Sequence, residues 1–200
     1  EGIHPNDEET RVSVRGNVTV QPRSDLTIDW NTAYTTHEMG ITHVGNNLYG
    51  LQFNVMRSPG NTVGSSDPAV IGRLLDAKIE QDNTRLTTGV TATYARTPNF
   101  THRLTVGLDR STSDSRHITP FGFILLPTGS LSEQRWTNEA VSVFYTGNLG
   151  FRLSDVIGST LAWGAQNVTT EGNRLDGFGQ GFPGPGNHTL SAAAHRPTFS

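Results

Sequence analysis

The chain has 200 residues, with 15 Lys+Arg against 18 Asp+Glu, 34% hydrophobic residues, 22 Gly, 10 Pro and no Cys. That length allows one domain or two small ones. The lack of Cys excludes disulfide scaffolds and thiolate metal sites. A near-neutral charge without a basic cluster gives nucleic-acid binding no electrostatic support.

The low apolar share is not a disorder signature. Charged residues are only 16%, and β-branched and aromatic residues are plentiful. The longest apolar run, Phe121 to Pro127, is far short of the ~20 residues of a membrane helix. Hydropathy alone therefore reads as soluble, although strand-built membrane proteins escape that test. The chain starts at Glu1 with no basic region followed by an apolar stretch, so no signal peptide is visible. Neither end resembles a natural boundary, and a processed form or an internal fragment is expected.

The dominant periodicity is two, the period of a strand with unlike faces. Val12, Val14, Val18 and Val20 share one parity, opposite Arg11, Ser13, Arg15 and Thr19. Pro22-Arg-Ser-Asp25 reads as a turn. Leu26, Ile28, Trp30 and Tyr34 then alternate with Thr27, Asp29 and Asn31. Leu86, Val90, Ala92 and Tyr94 form a third set, Thr97-Pro-Asn-Phe100 a second turn, and Leu104, Val106 and Leu108 a fourth set. Val141, Val143, Tyr145, Leu149 and Phe151 form the fifth. After the turn at 154–158, Leu161, Trp163 and Ala165 form the sixth.

The expected fold is all-β: an antiparallel up-and-down meander of about six long strands, with a short helix in the first long loop. The hairpins are placed at about 9–36, 80–112 and 134–170. Long polar connections are placed at about 37–79, 113–133 and 168–197, all at one end of the sheet. Short turns at one end, long loops at the other and ~10-residue alternating stretches are the pattern of a transmembrane β-barrel. The expected lipid-facing set is Val12, Val14, Ile28, Trp30, Val90, Tyr94, Val106, Leu108, Val143, Tyr145, Leu161 and Trp163. Phe151 and Tyr94 are expected near the short-turn interface, and Tyr34 and Tyr145 near the opposite one. Arg110 has the lipid-facing parity but lies about ten residues from its turn, where it can snorkel. The alternative is a soluble extracellular β-sandwich for binding or adhesion, in which the same apolar residues would meet across two stacked sheets.

No nucleophile elbow, phosphate loop or His-Glu-x-x-His occurs. No catalysis, cofactor or metal is expected. His37 and His43 are the closest of seven His, and read as polar loop residues rather than ligands. Asp7 with Glu8, and Asp109 near Asp114, read as ordinary polar positions. Four Asn-x-Thr sequons, at Asn17, Asn99, Asn167 and Asn187, arise readily in a Thr-rich strand protein. Gly177 to Gly186 has GxG-like spacing but no following helix pattern, and reads as a rigid turning loop. Ligand contact is expected in the long loops, with Tyr49, Phe53 and Arg57 as candidates. The competing reading is that Leu48, Leu51, Phe53, Val55 and Met56 pack a short helix on the rim. Arg15, Asp29, Arg85 and Asp109 take the parity opposite the lipid-facing set.

Several segments resemble the barrel of TonB-dependent outer-membrane transporters of the SusC/RagA-like branch. They are Leu26-Thr-Ile-Asp-Trp-Asn-Thr-Ala-Tyr34, Leu48 to Asn61 with its terminal Arg-x-Pro, and Leu104-Thr-Val-Gly-Leu-Asp-Arg110. The fourth is Trp163-Gly-Ala-Gln166 with Gly179-Gln-Gly-Phe-Pro-Gly-Pro-Gly186 and Leu190-Ser-Ala-Ala-Ala194. The resemblance is collinear and covers nearly the whole chain. The plug domain, TonB box and aromatic-ended closing strand of that family are not among these residues. The resemblance implies an internal slice of a barrel that imports glycans, peptides or similar nutrients across the bacterial outer membrane. It also implies a plug domain, TonB and a surface lid lipoprotein as partners of the full-length protein.

Overall fold

The computed structural model describes residues 4–196. Six antiparallel strands form one sheet in chain order: β1 (Glu8–Arg23), β2 (Leu26–Ile41), β3 (Lys78–Thr97), β4 (Phe100–Thr119), β5 (Ser130–Ser154) and β6 (Ile157–Gln180). The first long connection carries two short helices, α1 (Leu51–Met56) and α2 (Pro68–Gly72). β1 and β6 are the two edges, so the sheet is open.

The strands outrun the alternating stretches at the loop end. β4 continues to Thr119, β5 starts at Ser130 and β6 runs to Gln180. The second connection is therefore 120–129, not 113–133, and the third begins at 181. The added segments, such as Ser111-Thr-Ser-Asp-Ser115 and Asn167-Val-Thr-Thr-Glu171, are polar or nearly so at both parities. Backbone pairing needs no side-chain alternation when neither face has to be apolar, so the period-two signal fades while the ladder continues.

The register places all twelve expected lipid-facing residues on one face. Val18, Trp30, Val90, Val106 and Val143 form one cross-strand row. Val20, Ile28, Ala92, Leu104, Tyr145 and Ala165 form the next. Large apolar side chains on this face stay open: Val14 is 65% exposed, Val106 44% and Leu161 55%. The indole N–H of Trp30 is satisfied within the face, donating to Thr88 Oγ1 at 3.0 Å. Toward the loop end the same face turns charged. Arg110 stands between Leu86 and Glu139, 3.8 Å from the Glu139 carboxylate. Arg116 sits between Glu80 and Glu133, and Arg135 pairs with Asp114. His102 and Arg110, eight residues apart on β4, bound a stretch of ~27 Å along the strand, or ~20 Å of height at the 35–45° tilt of barrel strands.

No second layer covers the sheet among the described residues. The buried apolar side chains gather at the loop end in two clusters. Ile71, Leu74, Ala77 and Phe123 join the first two connections, with Tyr49, Leu51 and Val63 packed around them. Leu131, Phe182 and Ala193 fasten the 181–195 segment to the apolar-parity face, with Ile118 and Leu190. That segment also makes an antiparallel bridge from His195 to Gln180. The first four residues of the expected glycine-rich loop, 177–180, belong to β6. Gly177 and Gly179 leave the room that Leu190 and Ala193 fill. The sandwich alternative, which needs two stacked sheets, does not describe this fold.

The hairpins are staggered. Leu26 pairs with Tyr94, four residues before the β3–β4 turn, and Phe100 pairs with Leu149, well above the turn at 155–156. Such stagger accompanies strand tilt. It brings residues at different distances from their own turns side by side. Tyr145, ten residues from its turn, therefore meets His102, three residues from the β3–β4 turn. Its hydroxyl lies 2.7 Å from His102 Nδ1 and accepts from Trp163 Nε1 at 3.3 Å. Phe100 packs edge-on against His102, with centroids 4.4 Å apart, and Tyr94 stacks on its other side. Tyr145, expected near the far interface, is thus tied to the aromatic group of the short-turn end.

Candidate functional site

The face opposite the apolar band is mainly polar, with Phe144 and Val168 as exposed apolar exceptions. Near the short turns it carries Asp29, which accepts from Thr19 Oγ1 at 2.6 Å. Midway, Arg85 grips Asp109 through two hydrogen bonds, Nε to Oδ1 at 3.0 Å and Nη2 to Oδ2 at 2.5 Å. Arg15 makes no ion pair among the described residues.

Above Arg85 this face forms a furrow. Its floor is β4, whose polar-face residues are Ser111, Ser113 and Ser115. One wall is Gln81, Asn83 and Arg85 of β3; the other is Gln134, Trp136 and Asn138 of β5. The short Ser side chains make the depression and the longer amides rise on both sides. The concavity measures about 570 Å³ and continues toward Arg11 and His37. Trp136 is 46% exposed. Its Nε1 donates to Asn138 Oδ1 at 2.9 Å, which fixes the indole. Gln134 donates to Asp176 at 2.7 Å; that bond first, and Arg174 second, hold the Asp176 carboxyl below its ordinary range.

The first connection meets the loop end of the polar face at His117, against which His43 packs edge-on. Asn54 of α1 is fully buried and organises the first connection. Its Nδ2 donates to the carbonyls of Leu48 and Gly50 at 3.0 and 2.9 Å. Its Oδ1 accepts from the Thr62 amide at 2.9 Å and from the Thr62 hydroxyl. Asp67 caps α2 by accepting from the Ala69 amide at 2.9 Å, with Pro68 at the first helical position. At the base, Asp7 Oδ1 accepts from the Thr42 amide at 2.8 Å, and Oδ2 meets His4 Nδ1 at 3.0 Å. The Thr42 side chain also approaches this carboxylate, although its hydroxyl lacks hydrogen-bond geometry. The Thr42 side chain, His4 and the Thr42 amide together lower the Asp7 pKa to about 2.

The three candidate contact residues are dispersed in role. Tyr49 packs edge-on against Phe123, with centroids 5.3 Å apart, and belongs to the loop core. Phe53 lies under the Arg57 guanidinium, 4.8 Å from its centroid. The expected rim helix forms, but Leu48, Val55 and Met56 point outward, with Met56 86% exposed.

His37 and His43 do not meet. His37 lies within β2 and bonds Glu9 at 2.7 Å. His43 packs beside Tyr49 and His117; burial first, and His117 second, push its pKa down. Asp109 and Asp114 lie on opposite faces of β4, each held by its own Arg. Among the described residues no group of three or more His, Asp or Glu is placed to hold a metal. Sequence reasoning missed the furrow and Asn54. Serines at alternate positions 111, 113 and 115 are the available signal, visible only once 113–119 is recognised as a continuation of β4.

No protein-family model matches the chain, and no curated protein matches it. Solved structures do. The chain is similar to one described as the RagAB peptide transporter, with 15% identity and a TM-score of 0.76 over 94% of this chain and 23% of that one. It is equally similar to the RagAB peptide importer in its open-open and closed-closed states, each at TM-score 0.76 and 15% identity. The chain spans about a quarter of the length of those chains. At this identity the likeness establishes the fold: an open, six-stranded meander superposable on part of a transporter chain.

Proposed function

We propose that this chain is a wall section and rim of a TonB-dependent importer of glycan- or peptide-type nutrients in the bacterial outer membrane. The observation that carries the reading is an unlayered sheet whose one face is a continuous apolar band and whose other face is mainly polar. A monomer in water rarely leaves an apolar surface of that extent uncovered. A barrel wall needs it, since alternate residues meet lipid and lumen. In this reading the apolar band contacts outer-membrane lipid and the furrow faces the lumen. Free strand edges are not tolerated in lipid, so further strands pair with β1 and β6.

The collinear resemblance in four segments supports the same reading, as does the fold shared with chains described as peptide transporters. From the resemblance, the full-length protein also carries a plug domain, couples to TonB and meets a lid lipoprotein at its outer loops. The chain's role is transport rather than catalysis.

Three Trp make the membrane arrangement measurable. In the bilayer-reconstituted full-length protein, with residues 30, 136 and 163 examined one at a time, lipids brominated on their acyl chains should quench Trp30 and Trp163 and leave Trp136 bright. Equal access of an aqueous quencher to Trp30 and Trp136 would overturn the reading.

A further inference from the structure

We propose that Arg96 and His102, with the aromatic ledge beside them, bind the phosphodiester of an anionic glycerophospholipid in the leaflet that meets the short turns. The inference rests on the barrel-wall reading and adds to it a lipid partner of defined charge.

The ledge comes first. Tyr94, His102, Gly147 and Trp163 form one cross-strand row on the apolar-parity face. The Trp163 indole lies over Gly147 and meets the His102 ring edge-on, with centroids 5.7 Å apart. The next row toward the middle of the band holds Ala92, Leu104 and Tyr145. On the other side, toward the turn, Arg96 keeps the parity of Tyr94, ~7 Å farther along β3. Apolar residues, flat amphipathic rings and then a cation follow the order of acyl chain, glycerol region and phosphate in a phospholipid.

Hydrogen bonding leaves one donor over. The indole N–H of Trp163 can only donate, so the Tyr145 oxygen accepts from it. The tyrosine hydrogen then goes to His102 Nδ1. This assignment leaves none of the three groups unmatched, and it places the ring proton on Nε2. Nε2 has no partner among the described residues and is not enclosed, so its N–H is open to a phosphate oxygen.

Charge selects the headgroup. Arg96 is exposed, and its side chain makes no ion pair or hydrogen bond among the described residues. Asp25 lies beside it, since its carbonyl accepts from the Ala95 amide at 2.8 Å. The Asp25 carboxylate, however, is held by Arg23 at 2.9 Å. Asp155 lies eight residues beyond Gly147 along the chain. The ledge therefore has an unmatched cation and no free carboxylate to receive the ammonium of a zwitterionic headgroup. At the loop end of the same face, Arg110, Arg116 and Arg135 each stand beside a carboxylate. The guanidinium fork of Arg96 can take two phosphate oxygens at once.

The test uses the full-length natural protein in phosphatidylcholine vesicles. A minor fraction of acyl-brominated phosphatidylglycerol is added or, in parallel, equally brominated phosphatidylcholine. The Trp163 signal is the difference between the protein and its Trp163→Phe variant; Trp30→Phe isolates Trp30 in the same way. Phosphatidylglycerol should associate at Trp163 about three- to fivefold more strongly than phosphatidylcholine, the weight of one basic residue at an anionic surface. Trp30 should show no preference. Arg96→Gln should abolish the preference, and His102→Phe should reduce it about twofold, the weight of a weak hydrogen bond. Arg103→Gln should leave it intact, because Arg103 lies in the neighbouring row but on the opposite parity.

The proposal fails if Trp163 shows no preference for phosphatidylglycerol, if Arg96→Gln preserves the preference, or if Arg96→Gln and Arg103→Gln lower it equally. Vesicles made wholly of brominated phosphatidylcholine separate the two readings. Quenching of Trp30 there, without a phosphatidylglycerol preference at Trp163, removes this proposal and leaves the barrel wall standing. Unquenched Trp30 removes the barrel-wall reading itself.

Discussion

The indole of Trp163 on β6 lies across Gly147 on β5, in the space a side chain at 147 would occupy. From there its N–H reaches the Tyr145 hydroxyl. The glycine is thus the seat of the aromatic group that joins β4, β5 and β6 at the short-turn end.

Gly147→Ala places a methyl group inside the indole ring and must expel it. The expected loss is about 1–3 kcal/mol, the usual cost of overpacking. Urea unfolding of the reconstituted protein measures it. Trp163→Ala should lose the ring contacts, and adding Gly147→Ala to that background should cost little more. An additive double mutant would show that the ring is not seated on Gly147.

Val106 lies at the middle of the apolar band and Thr87 on the opposite face. Val106→Arg should reduce stability by about 2–4 kcal/mol, the depth-dependent cost of a cation on the lipid side of a barrel. Thr87→Arg should stay within about 0.5 kcal/mol, as an exposed polar site. Equal effects in bilayer-based unfolding would contradict the assignment of faces.

Asn54→Ala leaves the Thr62 amide without its partner and removes one of the two donors to the Leu48 carbonyl, which keeps the Thr62 hydroxyl at 2.8 Å. A loss of about 1–3 kcal/mol is expected, confined to the first connection. Amide exchange should accelerate across residues 44–66 and remain unchanged in β3 and β4. Uniform acceleration would mean that the loop and sheet unfold together.

Asp7 titrates near 2 in the folded protein against an ordinary value of 3.8. A lowered folded pKa makes its stabilisation complete above the ordinary value and lost as pH falls through about 2. The protection factor of the Thr42 amide, its slowing relative to the intrinsic rate at each pH, should therefore hold at pH 5 and fall as the solution is acidified from about 4 to 2. Asp7→Asn should flatten this dependence.

The sequence alone determined the six strands, their order and their apolar face. Period-two alternation is local: Val12 and Val14, or Val106 and Leu108, declare their parity without knowledge of their neighbours. The strand ends were not legible, because residues 111–117 and 167–176 show no apolar–polar alternation; backbone pairing holds them in the sheet, with cross-strand ion pairs such as Arg116–Glu133 and Arg135–Asp114. The furrow, the Asn54 knot and the Tyr145–His102 contact were decided by tertiary structure. Each depends on which residue of one strand or loop stands beside which residue of another, and stagger between hairpins sets that. The composition could exclude a membrane helix; only the tertiary structure left one apolar face uncovered on a single sheet, the surface on which the barrel-wall reading rests.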